Sequence, residues 1–216
     1  MIEGSESSAI PRIRVRIESL SDLVFGLALS FGSLILIGSQ PRNGTDLVVN
    51  VFIFGFSFMI IIWTWIGYTR TFAVLPTEAP FALPLNLGLL FCVALEPYLF
   101  YVVITTKTLE LVDPASIAYA IDAGLMFLFL AGLGYIVVKE EERRGDDKRL
   151  HPIVVNRFRR LTRLQAIVGG IYIASALPIF WVYTPVGILR FLLWSSPFII
   201  LTIFRKPKPE AKPITQ

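Results

Sequence analysis

The chain has 216 residues, of which 55% are hydrophobic and only 17% are charged, and its formal net charge is +4. A soluble domain of this length carries charge on about a quarter of its residues, and its apolar runs are short, whereas here they are long. The composition excludes an ordinary soluble enzyme, a disordered chain and, because Cys92 is the single cysteine, a disulfide-stapled secreted domain. The single histidine, His151, lies in a charged stretch, so we expect no imidazole or thiolate metal site and no cofactor.

Six apolar stretches are long enough to cross a bilayer, because the hydrocarbon layer is about 30 Å thick and a helix rises about 1.5 Å per residue. A backbone in lipid must satisfy its own hydrogen bonds, so each stretch is expected to be a helix. The prediction is an all-α integral membrane protein. Its six predicted spans cover residues 19–39, 47–70, 80–105, 116–138, 163–184 and 186–204.

Basic residues indicate how the spans are oriented, because cytoplasmic loops carry an excess of Lys and Arg. With the N-terminus in the cytoplasm, only Arg42 and Lys107 fall on the outer side, against nine basic residues between Lys139 and Arg163 alone. The prediction is a multi-pass protein of the cell membrane with both termini cytoplasmic. The basic residues are not interleaved with exposed aromatics, so lipid is the expected partner and nucleic acid is not.

These boundaries divide the chain into one transmembrane domain with short flanking segments. A solvated helix extension with intrahelical ion pairs is the simplest interpretation of the charged stretch between the two halves. The predicted parts are a cytoplasmic N-terminal segment, a transmembrane domain of two halves, a charged cytoplasmic linker and a disordered cytoplasmic tail, at residues 1–18, 19–204 (halves 19–106 and 116–204), 139–162 and 205–216.

Four ionisable residues lie inside the predicted spans, where such groups are costly and mark a function or a packing pair. Asp122 and Arg190 lie at similar depth, about two turns from the outer ends of the fourth and sixth spans, and are predicted to form an ion pair. Glu96 is a competing or third partner at that level. Asp22 lies at the cytoplasmic end of the first span. A proton-coupled transport site is the functional alternative to a structural pair.

A second polar group is expected where the first three spans reach the cytoplasmic side. A capping box at the start of the first helix accounts for Ser19 and Asp22, and interfacial anchoring accounts for Trp65 and Tyr68. A network between the three helices is the alternative. The residues that share this level are Arg16, Ser19, Ser21, Asp22, Trp65, Tyr68, Arg70 and Asn86.

One face of the first helix is apolar and is flanked by small residues, which permit close helix approach. The face can serve simple helix packing, or it can line a narrow apolar pore. Its members at helical spacing are Leu23, Leu27, Ser30, Phe31 and Leu34.

Three stretches carry recognisable motifs in the expected order. The first is Arg16-Ile17-Glu18-Ser19-Leu20-Ser21-Asp22, the second is Trp65-Ile66-Gly67-Tyr68, and the third is Leu85-Asn86-Leu87 followed by Pro97. They resemble the Arg-x-x-x-Phe-Ser-Asp signature, the Trp-x-x-His element and the third helix of the endolysosomal potassium channel family (transmembrane protein 175), in particular its short prokaryotic members. Leu20 stands at the Phe position and Tyr68 at the His position, so any proton sensitivity that depends on that imidazole should be absent or changed.

The resemblance implies a homotetramer of six-helix subunits whose first helices line a central potassium pore without a TVGYG-type filter, and the sequence contains no such stretch. It makes Leu27 the narrowest point of the pore, followed by the Ser30 hydroxyl and by apolar rings at Phe31 and Leu34, with no metal site beyond the permeating potassium. It also implies a network between helices. Its members here are Arg16, Ser21, Asp22, Trp65, Tyr68 and Asn86.

Three functions are weighed at this point. The first is a potassium-permeable channel with a hydrophobic gate. The second is a proton-coupled transporter that uses Asp22, Glu96 or Asp122, although the sequence shows no inverted repeat. The third, a membrane-embedded enzyme, is not expected, because the spans contain no histidine and no Gly-x-Ser-x-Gly motif.

Overall fold

The fold is taken from a computed structural model of the chain, which describes residues 3–38, 41–75, 79, 81–105, 109–143, 152–182, 189–190 and 192–203. All regular secondary structure in these ranges is helical. The helices, numbered here in chain order, are α1 (Glu3–Gly38), α2 (Gly44–Phe72), α3 (Ala82–Thr105), α4 (Leu109–Arg143), α5 (Pro152–Ser175), α6 (Ile179–Val182) and α7 (Ser196–Ile203). Helical residues 189–190 and 192–194 precede α7.

The second and third spans were predicted to within three residues, whereas α1 and α4 are longer than their apolar runs. Helix α1 already begins at Glu3, so its first part covers the predicted N-terminal segment. Helix α4 continues to Arg143, beyond the apolar run. Loss of apolar character marks where a helix leaves the hydrocarbon layer, but it does not end the helix, because water tolerates a helical backbone as well.

The start of α2 has a cap that the sequence spells out. The Asn43 side chain accepts a hydrogen bond from the Asp46 backbone N–H at 2.8 Å, and the Asp46 carboxylate in the first turn complements the positive end of the helix dipole. The helix therefore begins where the turn residues place it.

The predicted linker 139–162 is largely made of helix ends. Glu140 and Arg143 form an i,i+3 ion pair at 3.0 Å near the end of α4, and Glu142 pairs with Arg159 on α5. Ion pairs of this exposed kind contribute little stability individually. Helix α5 begins at Pro152, and the residues between the two helices, 144–151, lie outside the described part of the chain.

The predicted fifth span, 163–184, is interrupted. Helix α5 ends at Ser175, and two tight bonds close the turn that follows, from Ala176 N–H to the Ile173 carbonyl and from Leu177 N–H to the Ala174 carbonyl, both 3.1 Å. The next residue, Pro178, has no N–H to continue the helix. The predicted link between the last two spans, residues 183–185, lies outside the described residues.

Four helices within the described ranges are long and apolar enough to cross a membrane: Arg14–Leu34, Gly44–Phe72, Ala82–Thr105 and Asp113–Arg143. The protein is thus an all-helical, multi-pass membrane protein over this part of the chain. The count of six spans and the location of the termini stay predictions.

Helix α4 lies at the centre of the bundle. It packs against α2, α3 and α5, while α1 packs against α2 and α3. Lipid is as apolar as a leucine side chain, so helix association here depends on packing and internal hydrogen bonds and not on removal of apolar surface from water. Side chains of α4 that are at most 2% exposed are Tyr119, Ala120, Ala123, Met126, Phe127, Leu130 and Leu133.

Two glycines set the closest approach of α4 and α5. A Cβ atom added to Gly124 would lie 3.0 Å from the Gly169 carbonyl oxygen, and one added to Gly169 would lie 2.8 Å from the Gly124 carbonyl oxygen. These obstacles are backbone atoms, which cannot rotate away as a side chain can. The two helices therefore cross backbone to backbone, as small residues permit in membrane bundles.

Gly169→Ala should destabilise the protein by about 1–3 kcal/mol, because its methyl group forces α5 away from α4. The matched control is Gly170→Ala on the same helix, where nothing lies within 4 Å of the added Cβ; this change should be neutral or mildly favourable, since alanine is the better helix former. Melting of the detergent-solubilised protein measures both. Equal losses in the two variants would contradict the close crossing.

Candidate functional site

Two hydrogen bonds join α1 to α2 at the predicted signature. The Trp65 indole N–H donates to Asp22 Oδ1 at 3.2 Å, and the Tyr68 hydroxyl donates to Ser21 Oγ at 2.7 Å. Ser21 passes its own proton back to the Ile17 carbonyl at 2.8 Å. The structure thus brings four of the six predicted network residues into direct contact.

Tyr68 is the centre of this contact. Its ring is 1% exposed, and it packs against Phe25 of α1 at 5.5 Å and Phe72 of α2 at 5.2 Å between ring centroids. Asn86 of α3 is buried beside the Tyr68 hydroxyl, although neither of its amide atoms meets a hydrogen-bond partner within the described residues. A phenol therefore occupies the position where the motif has an imidazole, and it ties the three helices together.

The capping interpretation of Ser19 and Asp22 is wrong in this structure. Helix α1 begins at Glu3, so both residues lie well inside the helix, where the backbone N–H groups are already bonded. Ser19 is exposed, and Asp22 accepts from Trp65 on another helix. Asp22 is therefore a contact between helices.

Arg14 is the contact that sequence reasoning missed. Its guanidinium donates to the carbonyl oxygens of Phe72 at 2.7 Å and Ala73 at 2.8 Å, and it lies 5.8 Å from the centroid of the Phe72 ring. A cation there satisfies carbonyls that have no intrahelical partner at the end of α2 and complements the negative end of its dipole. The basic residue counted as an orientation signal thus caps a neighbouring helix.

Arg16 differs from the prediction within a single subunit. Its side chain is exposed, and no hydrogen bond or ion pair joins it to another residue of the described ranges. Only Arg14, one helical face away, reaches α2. Any role of Arg16 in a network therefore stays a prediction.

The predicted face of α1 is the exposed face of that helix. Leu23, Leu27, Phe31 and Leu34 are 58%, 48%, 55% and 54% exposed. Ser30 lies on the same face, and its hydroxyl donates to the Gly26 carbonyl at 2.8 Å. The residues that α1 buries against α2 and α3 lie on the opposite face: Ser21, Phe25, Ala28 and Gly32.

The structure places a different carboxylate against Arg190. The guanidinium Nη1 lies 3.5 Å from Asp113 Oδ1, in the first turns of α4. Asp122, the predicted partner, is not among the ion pairs of the described residues and instead lies beside the Cys92 thiol of α3. Both arrangements lie on α4, and the sequence alone could not choose between carboxylates nine residues apart.

Glu96 is a further buried carboxyl in the same bundle. It is 0% exposed, and the Ser57 hydroxyl of α2 lies 3.0 Å and 2.9 Å from its two oxygens. It is not part of an ion pair in the described ranges. The predicted third partner of Arg190 therefore connects α3 to α2.

Arg14→Gln should lower the stability of the protein by about 1–2 kcal/mol, because two charge-assisted bonds to the end of α2 are lost. Arg70→Gln is the matched control: Arg70 also lies in the last turn of α2, but it is exposed and makes no hydrogen bond within the described residues. Thermal melting in detergent compares them. A loss as large in Arg70→Gln would show that net charge, not the cap, matters.

Asp113→Asn and Arg190→Gln should be coupled by about 1 kcal/mol in a double-mutant cycle, because each single change removes the same ion pair. The matched cycle uses Asp122→Asn with Arg190→Gln and should be additive. Melting of the detergent-solubilised variants supplies the four free energies. Coupling in the Asp122 cycle and none in the Asp113 cycle would restore the pair predicted from the sequence.

No protein-family model and no curated protein matches this chain. Among solved structures, the chain is similar to the crystal structure of a variant of the potassium channel MtTMEM175 in complex with a nanobody–MBP fusion protein. The similarity covers 88% of this chain and 91% of that chain, with a TM-score of 0.61 and 19% sequence identity. The chain therefore has the fold of the bacterial channel MtTMEM175.

Proposed function

We propose that the protein is a potassium-permeable ion channel of the cell membrane, assembled as a homotetramer with α1 around a central pore. The observation that carries the proposal is the exposed apolar face of α1, which lies on the helix that bears the signature motif. The shared fold supports it, since the similar structure is described as a potassium channel. An enzymatic function has no comparable support.

The spacing on α1 suits a seam between several copies of the same helix. Positions 20, 23, 27, 30 and 34 alternate steps of three and four residues, the pattern by which helices pack side by side around a common axis. Every described side chain in this series is exposed in the subunit. Packing of four copies about an axis would cover the series and leave a narrow central path.

The contacts to α2 fix which face of α1 points to that axis. Ser21 bonds to Tyr68 on the buried side of α1, and Asp22 bonds to Trp65 close to it. Rotation of α1 by one residue position would break both bonds and turn Leu27 away from the axis. The signature residues thus act in the proposal as positioning residues for the pore.

Leu27 is the proposed constriction. Four leucine side chains at one level repel water, so the path conducts only when the helices separate or rotate. Leucine cannot replace the hydration shell of an ion, so discrimination between potassium and sodium is expected to be moderate. Ser30 follows one turn later, and because its proton is donated to Gly26, its oxygen lone pairs are left to face a cation.

The proton-coupled transporter is the competing function. It draws support from the two carboxyls in the bundle, Glu96 and Asp122, which are 0% and 5% exposed. Neither lies on the exposed face of α1. A transporter would bind its substrate between parts of the subunit, so it would need neither a tetramer nor the α1 seam.

Leu27→Ala should raise single-channel conductance in planar bilayers and weaken the preference for potassium over sodium, because the smaller side chain removes the dewetting barrier. Leu192→Ala is the control, since Leu192 is 61% exposed and lies in a segment that packs on α5 and not on α1. It should leave the currents unchanged. Native currents in a correctly assembled Leu27→Ala protein would remove Leu27 from the gate.

The molecular mass of the detergent-solubilised protein separates the two functions. Four subunits are expected for the channel, with ion flux that needs no counter-substrate. A stable monomer that moves protons in a fixed ratio with a solute would instead establish the transporter.

A further inference from the structure

Glu96 is a buried carboxyl with too few hydrogen-bond donors. Both of its oxygens lie within 3.0 Å of Ser57 Oγ, yet one hydroxyl has a single proton to donate. The side chain is 0% exposed. An ionised carboxylate has about four lone-pair sites to satisfy, so the ionised form would be poorly solvated at this place.

The region around Glu96 contains more acceptors than donors. Asp122 faces it from α4, and its Oδ2 atom is buried with no partner in the described ranges. Pro97 has no N–H, so it leaves the buried Val93 carbonyl without its helical bond. The Cys92 thiol, a weak donor, is the group within reach of Asp122.

The Tyr119 hydroxyl is the independent sign that something is bound between these groups. Tyr119 lies three residues before Asp122 on the same face of α4, is 0% exposed, and lies within electrostatic range of both carboxyls. Its hydroxyl has no hydrogen-bond partner among the described residues. A phenol and two carboxyls thus share one apolar region.

Neighbouring groups cannot supply the missing charge or donors. On the α5 side, the Tyr172 hydroxyl already donates to the Trp194 carbonyl at 2.7 Å, and the Trp194 indole donates to Ser175 Oγ at 3.0 Å. Arg190 is paired with Asp113. No lysine or arginine within the described residues forms an ion pair with Glu96 or Asp122.

We propose that Glu96 and Asp122 form a proton-binding site in the bundle core, in which both carboxyls are held as neutral acids. Each bound proton comes from solution, removes one negative charge and adds one O–H donor where acceptors are in excess. The Ser57–Glu96 contact then holds α2 against α3 without a buried charge. The site lies outside the exposed face of α1, so it does not depend on the pore.

Proton binding of this kind links stability to pH. The native state holds protons on two carboxyls that an unfolded chain releases at neutral pH, so the free energy of unfolding falls as the pH rises. The titratable groups that face Glu96 are Asp122 and Tyr119 from α4, Cys92 from α3 and Tyr172 from α5. Tyrosines and a buried thiol remain neutral over the range in which the acids ionise.

Infrared difference spectroscopy of the full-length protein in detergent tests the protonation directly. A protonated carboxyl has a C=O stretching band separate from that of a carboxylate. Glu96→Gln and Asp122→Asn, which mimic the neutral acids in shape, should each remove part of this band. Glu18→Gln, on an exposed part of α1, should leave it intact. An unchanged band in both core variants overturns the proposal.

Melting between about pH 6 and about pH 9 supplies the second measurement, which stays informative if one variant fails to assemble. The wild-type protein and Glu18→Gln should lose several degrees of melting temperature as the pH rises. Each single core variant should lose less, and the double variant should show almost no dependence. Equal pH dependence in the wild-type protein and in whichever core variants assemble overturns the proposal.

Discussion

The lack of water in a membrane interior governs this structure, because each polar group that enters the bundle needs a partner from the protein itself. Backbone groups meet the requirement by forming helices. Polar side chains meet it by bonding across helices: Tyr68 to Ser21 joins α2 to α1, and Ser57 to Glu96 joins α2 to α3. The polar contacts are therefore also the contacts that fix how the helices are rotated.

Close packing around α4 is the second consequence of the same environment. Without a gain from removing apolar surface from water, helices associate only if they fit closely. Gly124 and Gly169 allow α4 and α5 to cross backbone to backbone, and the large rings of Tyr119, Phe127 and Tyr172 fill the space on either side of the crossing. The centre of the bundle is consequently rigid, and α1 lies at its periphery.

The position of α1 explains how one helix can serve two purposes. Its buried face carries Ser21 and Phe25, which bind it to α2. Its exposed face carries Leu27 and Phe31, which have room to contact other subunits. The polar contacts made by one face determine the direction of the other, so a change at the network is expected to act on the proposed pore at a distance.

Much of the helix plan and of the α1 face could be read from the sequence, because both depend on local properties. Long apolar runs predicted α2 and α3 to within three residues, and helical spacing alone placed Leu23, Leu27, Phe31 and Leu34 on one face. The motif residues also predicted that Asp22 and Trp65 would meet. These inferences need only the periodicity of a helix and its length.

Only the tertiary structure decided which partners meet and where helices stop. The pairing of Arg190 with Asp113, the cap that Arg14 forms on α2, and the end of α5 at Ser175 all depend on the rotation and depth of neighbouring helices. A sequence gives depth to within about a turn, or about 5 Å, whereas a hydrogen bond forms only within about 3 Å. The sequence by itself therefore determined the class of protein and the face of α1, while the choice of each polar partner required the packed bundle.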